Sequence, residues 1–310
     1  MKAITVYEKL LAYVLCFCIV FLSASQVLAE DLKDASAEEI VRKSSEVDKL
    51  PNWKSKNTMR LNSKGSSERI RESVNYNKLD KNGYDTMRLI RFVAPADIKG
   101  TNILIHEHRD SSDDIWTYLR GIQKVRRLVA GNKRDSFMGM DFSYTDITTP
   151  KVQDYSHTLL RREPLNGIQC FVIESVPRTE EIKKNTGYSK TITWIRADNF
   201  VRIKSEMYAP SGALYKIMVV SSIKEVDRQR GKWLVEKVEM QNIETGHSTV
   251  IIFSDIKVGE VPDNKLFQPN CLDIEWAAGI IRMAVFILVI FSTVIALAAT
   301  GRWRMTLETS

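Results

Sequence analysis

The side chains that could do chemistry are few. Histidine occurs only at 106, 108, 157 and 247. His106 and His108 stand two apart, so on a strand they share one face. With Asp110, Asp113 and Asp114 just beyond, they make a conceivable metal pair. The same residues also read as a strand end running into a solvated acidic turn, and that reading needs no ion. Cys170 and Cys271 lack metal-ligand spacing. No nucleophile elbow, phosphate-binding glycine loop, zinc-protease helix or dinucleotide fingerprint occurs. The expectation is therefore a binding protein and not an enzyme, with no catalytic residue, no metal and no cofactor.

Binding is where the residue types gather. Trp116, Tyr118, Phe137, Met138, Met140 and Phe142 fall within one short stretch, and aromatic and methionine side chains make adaptable apolar walls for a ligand. Ordinary sheet core accounts for each of them singly. Trp116 and Tyr118 should share a strand face, whereas Arg126 and Arg127 should fall on opposite faces. The inward one of these arginines has two fates: pairing with an acid such as Asp141 or Asp146, or meeting a phosphate headgroup. Trp194, Met207, Tyr208 and Met218 are weaker lining candidates, with the core reading dominant.

The elements that must position these residues are almost all strands. Ser36 and Glu39 have capping-box spacing ahead of Ile40, Val41 and Val47, which predicts one helix. After Pro51 the pattern becomes β over 53 to 61, 69 to 79, 84 to 93 and 101 to 108. A second group covers 156 to 162, 168 to 176, 190 to 197, 200 to 208, 214 to 226, 232 to 242 and 247 to 256. Turn residues such as Asn166-Gly167, Arg230-Gly231 and Thr245-Gly246 separate its members. Close spacing and tight turns predict an antiparallel meander. The stretch from Ser143 to Pro150 interrupts it as a short helical turn or loop. A sheet this wide must curl. The expected fold class is mainly β, a strongly curved antiparallel sheet or unclosed β barrel, with an N-terminal helix, a short helical lid and an apolar hollow suited to an apolar guest.

The ends set the compartment. Lys2 and Lys9, the apolar run Leu10 to Leu22 and the exit Val27-Leu28-Ala29 read as a signal peptide over residues 1–29. An uncleaved anchor helix is the rival reading. Met283 to Gly301 carries no charge and has the length and composition of a transmembrane helix. Arg302 and Arg304 follow it and place the tail 302–310 in the cytoplasm, leaving 273–282 as a juxtamembrane stretch and 30–272 as the exported domain. Much of the formal charge of +7 belongs to these ends: Lys2 and Lys9 against Glu8, and Arg282, Arg302 and Arg304 against Glu308. What remains is too thin for a nucleic-acid partner but compatible with an anionic membrane. For Cys170 and Cys271, a disulfide and a buried free thiol both fit.

One block carries a resemblance. Asp114-Ile115-Trp116-Thr117-Tyr118, the basic Arg126-Arg127, and Ser136-Phe137-Met138-Gly139-Met140-Asp141-Phe142-Ser143-Tyr144-Thr145-Asp146 resemble the signature of the outer-membrane lipoprotein-sorting-like family, exported relatives of the periplasmic lipoprotein carrier. Asp97 to Thr101 and Leu266-Phe267-Gln268-Pro269 are in the same style, and the likeness covers Ser36 to Leu272. Arg120-Gly121 departs from the proline and small residue common there. The resemblance implies an unclosed barrel with helices across its mouth, a bacterial periplasmic location, and binding and handover of a lipid or of lipoprotein acyl chains. A C-terminal anchor in the inner membrane would turn shuttling into local handover beside a membrane partner. The alternative is a tethered interaction or regulatory module docking onto a lipid-exporting transporter. A third class, an envelope hydrolase, requires a nucleophile beside a base in a polar cleft.

Overall fold

A computed structural model describes residues 35–63, 65–128, 133–260 and 263–273. Ser36 begins the first helix, α1 (Ala37–Ser44), by accepting the Glu39 N–H on its hydroxyl. Its acids lie in the first turn and its bases in the last, which suits the helix dipole. The six strands that follow are β1 (Asn52–Asn62), β2 (Arg69–Leu79), β3 (Thr86–Ala94), β4 (Asn102–Glu107), β5 (Asp114–Leu119) and β6 (Lys124–Arg127). Seven more are β7 (Tyr155–Leu165), β8 (Ile168–Pro177), β9 (Lys190–Arg196), β10 (Arg202–Tyr208), β11 (Leu214–Asp227), β12 (Lys232–Asn242) and β13 (Ser248–Val258). A second helix, α2 (Glu180–Thr186), intervenes between β8 and β9.

The described chain divides into two compact units. A helix-bearing unit takes its residues from 1–49, 62–66 and 131–250, and a second, turn-capped unit from 50–61, 67–130 and 251–310. In the turn-capped unit β1 to β6 pair in sequence as an antiparallel meander. In the helix-bearing unit β7 to β12 do the same. The strand order ends at β6 on one side and β7 on the other.

Packing follows from alternation along the strands. On β8, Phe171 and Ile173 point to one face and meet Ile195 and Ile40 of α1, while Cys170 and Val172 point to the other and meet Trp194, Val201 and Ile203. The two cysteines among the described residues, Cys170 and Cys271, are buried free thiols. Burial raises the pKa of Cys170 and keeps it a thiol.

The expected fold class needs one correction. Among the described residues no helix is long and apolar enough to cross a membrane, so the described fold is mainly β with two short α-helices and the expected transmembrane helix is not supported. The stretch from Met283 to Gly301, like the signal peptide of residues 1–29, lies outside the described residues.

Candidate functional site

In the turn-capped unit the register aligns Tyr76, Leu89, Leu104 and Trp116 in one row across β2 to β5, with Asn102 opposite Tyr118. Trp116 and Tyr118 therefore share a face. The cover of that face is the chain's own C-terminal stretch, two short 3-10 turns over Asn264–Phe267 and Pro269–Cys271. Phe267 and Leu272 pack with Leu89, Leu104 and Tyr118, and Trp116, Met87 and Leu266 lie around them. Polar contacts fix the cover: the Asn102 amide donates to the Leu272 carbonyl, and His106 Nε2 lies 2.9 Å from the Phe267 carbonyl. The His106 ring also meets Trp116 edge to face at 5.0 Å.

The two histidines take separate partners. His108 lies between two carboxylates, Nδ1 3.3 Å from Asp85 and Nε2 3.2 Å from Asp114. Asp114 also accepts from Arg127. Burial pulls the His108 pKa down, but the hydrogen bonds and charges of Asp85 and Asp114 outweigh it and the net shift is upward. Burial instead dominates at His106, whose pKa falls. Among the described residues no group of three or more His, Cys, Asp or Glu side chains converges as metal ligands. Arg126 and Arg127 point to opposite faces of β6, opposite Thr117 and Trp116, and both are exposed.

In the helix-bearing unit the segment Ser136 to Thr148 folds on itself. Met138 and Gly139 take positive φ values of 53° and 70°, a tight reversal that lets the Phe137 N–H donate to the Phe142 carbonyl at 2.7 Å. Phe137, Met140 and Phe142 are buried, and Met138 is partly exposed. The Phe137 ring stands edge-on to Tyr144 at 5.2 Å.

Two acids pin this segment. Thr249 of β13 donates to Asp141 at 2.7 Å. Asp146 accepts from the Ser143 backbone at 2.8 Å, from Tyr188 at 2.8 Å and from Lys216 at 3.2 Å. The Asp146 and Lys216 side chains are only 3% and 7% exposed. Burial, reinforced by Asp146, raises the Tyr188 pKa well above the ordinary tyrosine value, so its hydroxyl stays a donor. Tyr155 is pushed up to about 12, by burial first and then by the charges of Asp154 and Asp146.

The register across β8 to β12 aligns Ile173, Thr193, Ser205, Met218 and Met240 in one row and Thr191, Met207, Lys216 and Asn242 in the next. Met207, Met218 and Met240 thus share a face with Lys216, and all four are buried. Trp194 and Tyr208 belong to the opposite face, where Lys204 lies over the Trp194 ring at 4.1 Å. The lining residues expected together from sequence are therefore held by different units: Trp116 and Tyr118 by the turn-capped unit, and Phe137, Met138, Met140 and Phe142 by the helix-bearing one. Sequence reading missed the Asp146, Tyr188 and Lys216 cluster. Its traces are Asp146, expected only as an acid for an inward arginine, and a lysine between apolar neighbours in Leu214 to Val220.

Comparison with known proteins follows this geometry. A family model described as "Uncharacterized protein" matches residues 84–273, more than half of the chain. The structure of a DUF1329 family protein from Desulfovibrio piger is 29% identical, covering 76% of this chain and 97% of that one, with a TM-score of 0.70. A domain from Vibrio parahaemolyticus named for outer membrane lipoprotein sorting is 27% identical over 76% of this chain and 98% of its own, also at 0.70. A LolA superfamily protein from Nitrosomonas europaea, 22% identical with coverage of 76% and 98% and a TM-score of 0.58, shares the fold. No curated protein matches. The resemblance carried by the block from Asp114 to Asp146 thus extends to the architecture.

Proposed function

The chain belongs to the family whose model matches residues 84–273, and from that premise we propose that it binds a lipid or lipoprotein acyl chains in the bacterial envelope, without catalysing a reaction. The observation that carries this reading is the likeness to the lipoprotein-sorting domain from Vibrio parahaemolyticus across 76% of the chain. The helix-bearing unit supplies the chemistry. Met207, Met218 and Met240 form a flexible apolar face, and Phe137, Met138, Met140 and Phe142 stand on a segment pinned to β11 and β13 of the same unit. Methionine walls adapt to acyl chains of varying shape. Burying about a dozen methylenes supplies roughly 10 kcal/mol before ordering costs, so no covalent step is needed. Handover then requires only an acceptor that competes for the same chains.

The test is lipid analysis of the full chain, purified from the envelope and extracted for mass spectrometry. About one acyl-bearing molecule per chain is the expected result. Protein that emerges lipid-free, and that takes up no lipid from phospholipid vesicles, overturns the proposal.

A further inference from the structure

The two end strands of the sheet are finished differently. β7 is blunted against strand addition: its register breaks between Leu159 and Arg161, Arg161 and Glu163 neutralise each other at 2.7 Å, and Pro164 offers no N–H. β6 pairs with β5 without a break and contains no proline, and all four of its residues are exposed. The Leu128 N–H donates to the Ile115 carbonyl at 2.8 Å, and inward and outward groups alternate along an antiparallel ladder. Lys124 and Arg126 therefore turn their N–H and C=O to β5, while Val125 and Arg127 turn theirs away. Among the described residues those outer groups have no hydrogen-bond partner. The side chains sort by face. Val125 and Arg127 stand opposite Tyr118 and Trp116; Val125 is 39% exposed, and Arg127 is neutralised by Asp114. Lys124 and Arg126 occupy the other face, and among the described residues neither has an acidic partner. A second copy of β6 laid along this edge would set those cations against like charges, which disfavours it.

We propose that β6 is a docking edge for an extended segment of a partner protein that alternates acidic and apolar residues and adds antiparallel to the sheet. Its acids meet Lys124 and Arg126 on one face, and its apolar side chains lie along Val125 on the other. Main-chain hydrogen bonds to Val125 and Arg127 supply the affinity, and the two unmatched cations select the partner.

The test titrates the full chain with a labelled, end-capped peptide of alternating glutamate and valine, followed by fluorescence anisotropy. Saturable binding that weakens as salt is added is expected. With valine opposite Val125, the peptide's valine N–H groups point at β6 and its glutamate N–H groups point away. A peptide N-methylated at its valines should therefore lose binding, whereas one N-methylated at its glutamates should keep it. On the protein, Val125→Pro removes only an outward donor and should weaken binding about tenfold with the melting temperature unchanged. The double variant Lys124→Glu with Arg126→Glu should also weaken it about tenfold, and should bind a lysine–valine peptide instead. The methylated peptides need no variant, so they decide the matter even if Val125→Pro fails to fold. Absence of saturable binding, or equal effects of the two methylation patterns, overturns the proposal. So does a chain that ignores the peptide but binds phosphatidylglycerol vesicles through Lys124 and Arg126, which assigns the basic edge to a membrane surface.

Discussion

The two units are built from the same device, a six-strand antiparallel meander, and differ in what covers a face. In the turn-capped unit the row Tyr76, Leu89, Leu104 and Trp116 is closed by Phe267 and Leu272 of the chain itself, and His108 joins Asp85 and Asp114 at the strand ends. In the helix-bearing unit the buried methionine face carries Lys216, matched by Asp146. The contrast separates a face covered by two turns of the chain from a face that holds a buried ion pair.

The harshest way to break that contrast is to remove the one internal counter-charge. Asp146→Ala strands Lys216 in the interior and removes the acceptor of Tyr188 and Ser143, so it should cost about 4 kcal/mol in urea unfolding. Adding Lys216→Met should recover a large part of the loss. A double variant no more stable than Asp146→Ala would show that the pair does not hold the segment from Ser136 to Thr148. On the other unit, Phe267→Ala opens a void against Leu89, Leu104 and Tyr118 and should cost about 3 kcal/mol. Because that face is closed by the chain's own residues, the cost should be the same with and without added phospholipid. A loss that lipid rescues would mean the ligand also reaches the turn-capped unit, and the contrast would fail.

How much of this the sequence carries differs between the same two regions. The strand periodicity was legible nearly to the residue: β2 and β12 occupy 69–79 and 232–242 as the alternation indicates. So was α1, through its Ser36 cap. α2 escaped notice although Thr179 caps it, Glu180 and Glu181 open it, and Gly187 ends it at φ 79°. It has no apolar stripe, and Ile182 alone does not make a periodicity. The shared face of Trp116 and Tyr118 followed from spacing alone, but the cover supplied by Leu266 to Leu272 could not be read, because it depends on where a distant segment returns. The buried charge was least legible of all. Lys216 reaches the methionine face only through its register, and a one-residue shift of register exchanges the two faces of a strand.

The finest test is a pH profile of the ion cluster around His108 in the turn-capped unit. The folded-state pKa of His108 lies above the ordinary 6.5, so its contribution is fully present below pH 6.5 and is lost as pH rises through the raised value. At Asp114, burial pushes the pKa up, and the stronger opposing effect of Arg127 and His108 brings it below 3.8. At Asp85, burial likewise raises the pKa, while the Arg109 backbone N–H and His108 carry it below 3.8. Those two contributions are present above pH 3.8 and lost as pH falls through the lowered values. The cluster is therefore strongest between pH 3.8 and 6.5. His106, beside it, works in the opposite sense: its lowered pKa costs stability once the unfolded chain protonates below 6.5. Only a difference isolates His108. Wild type minus His108→Gln, measured by urea unfolding from pH 5 to 9, should give up to about 1 kcal/mol in favour of wild type at the acid end, shrinking toward zero as pH rises. A flat difference would mean that Asp114 is held by Arg127 alone.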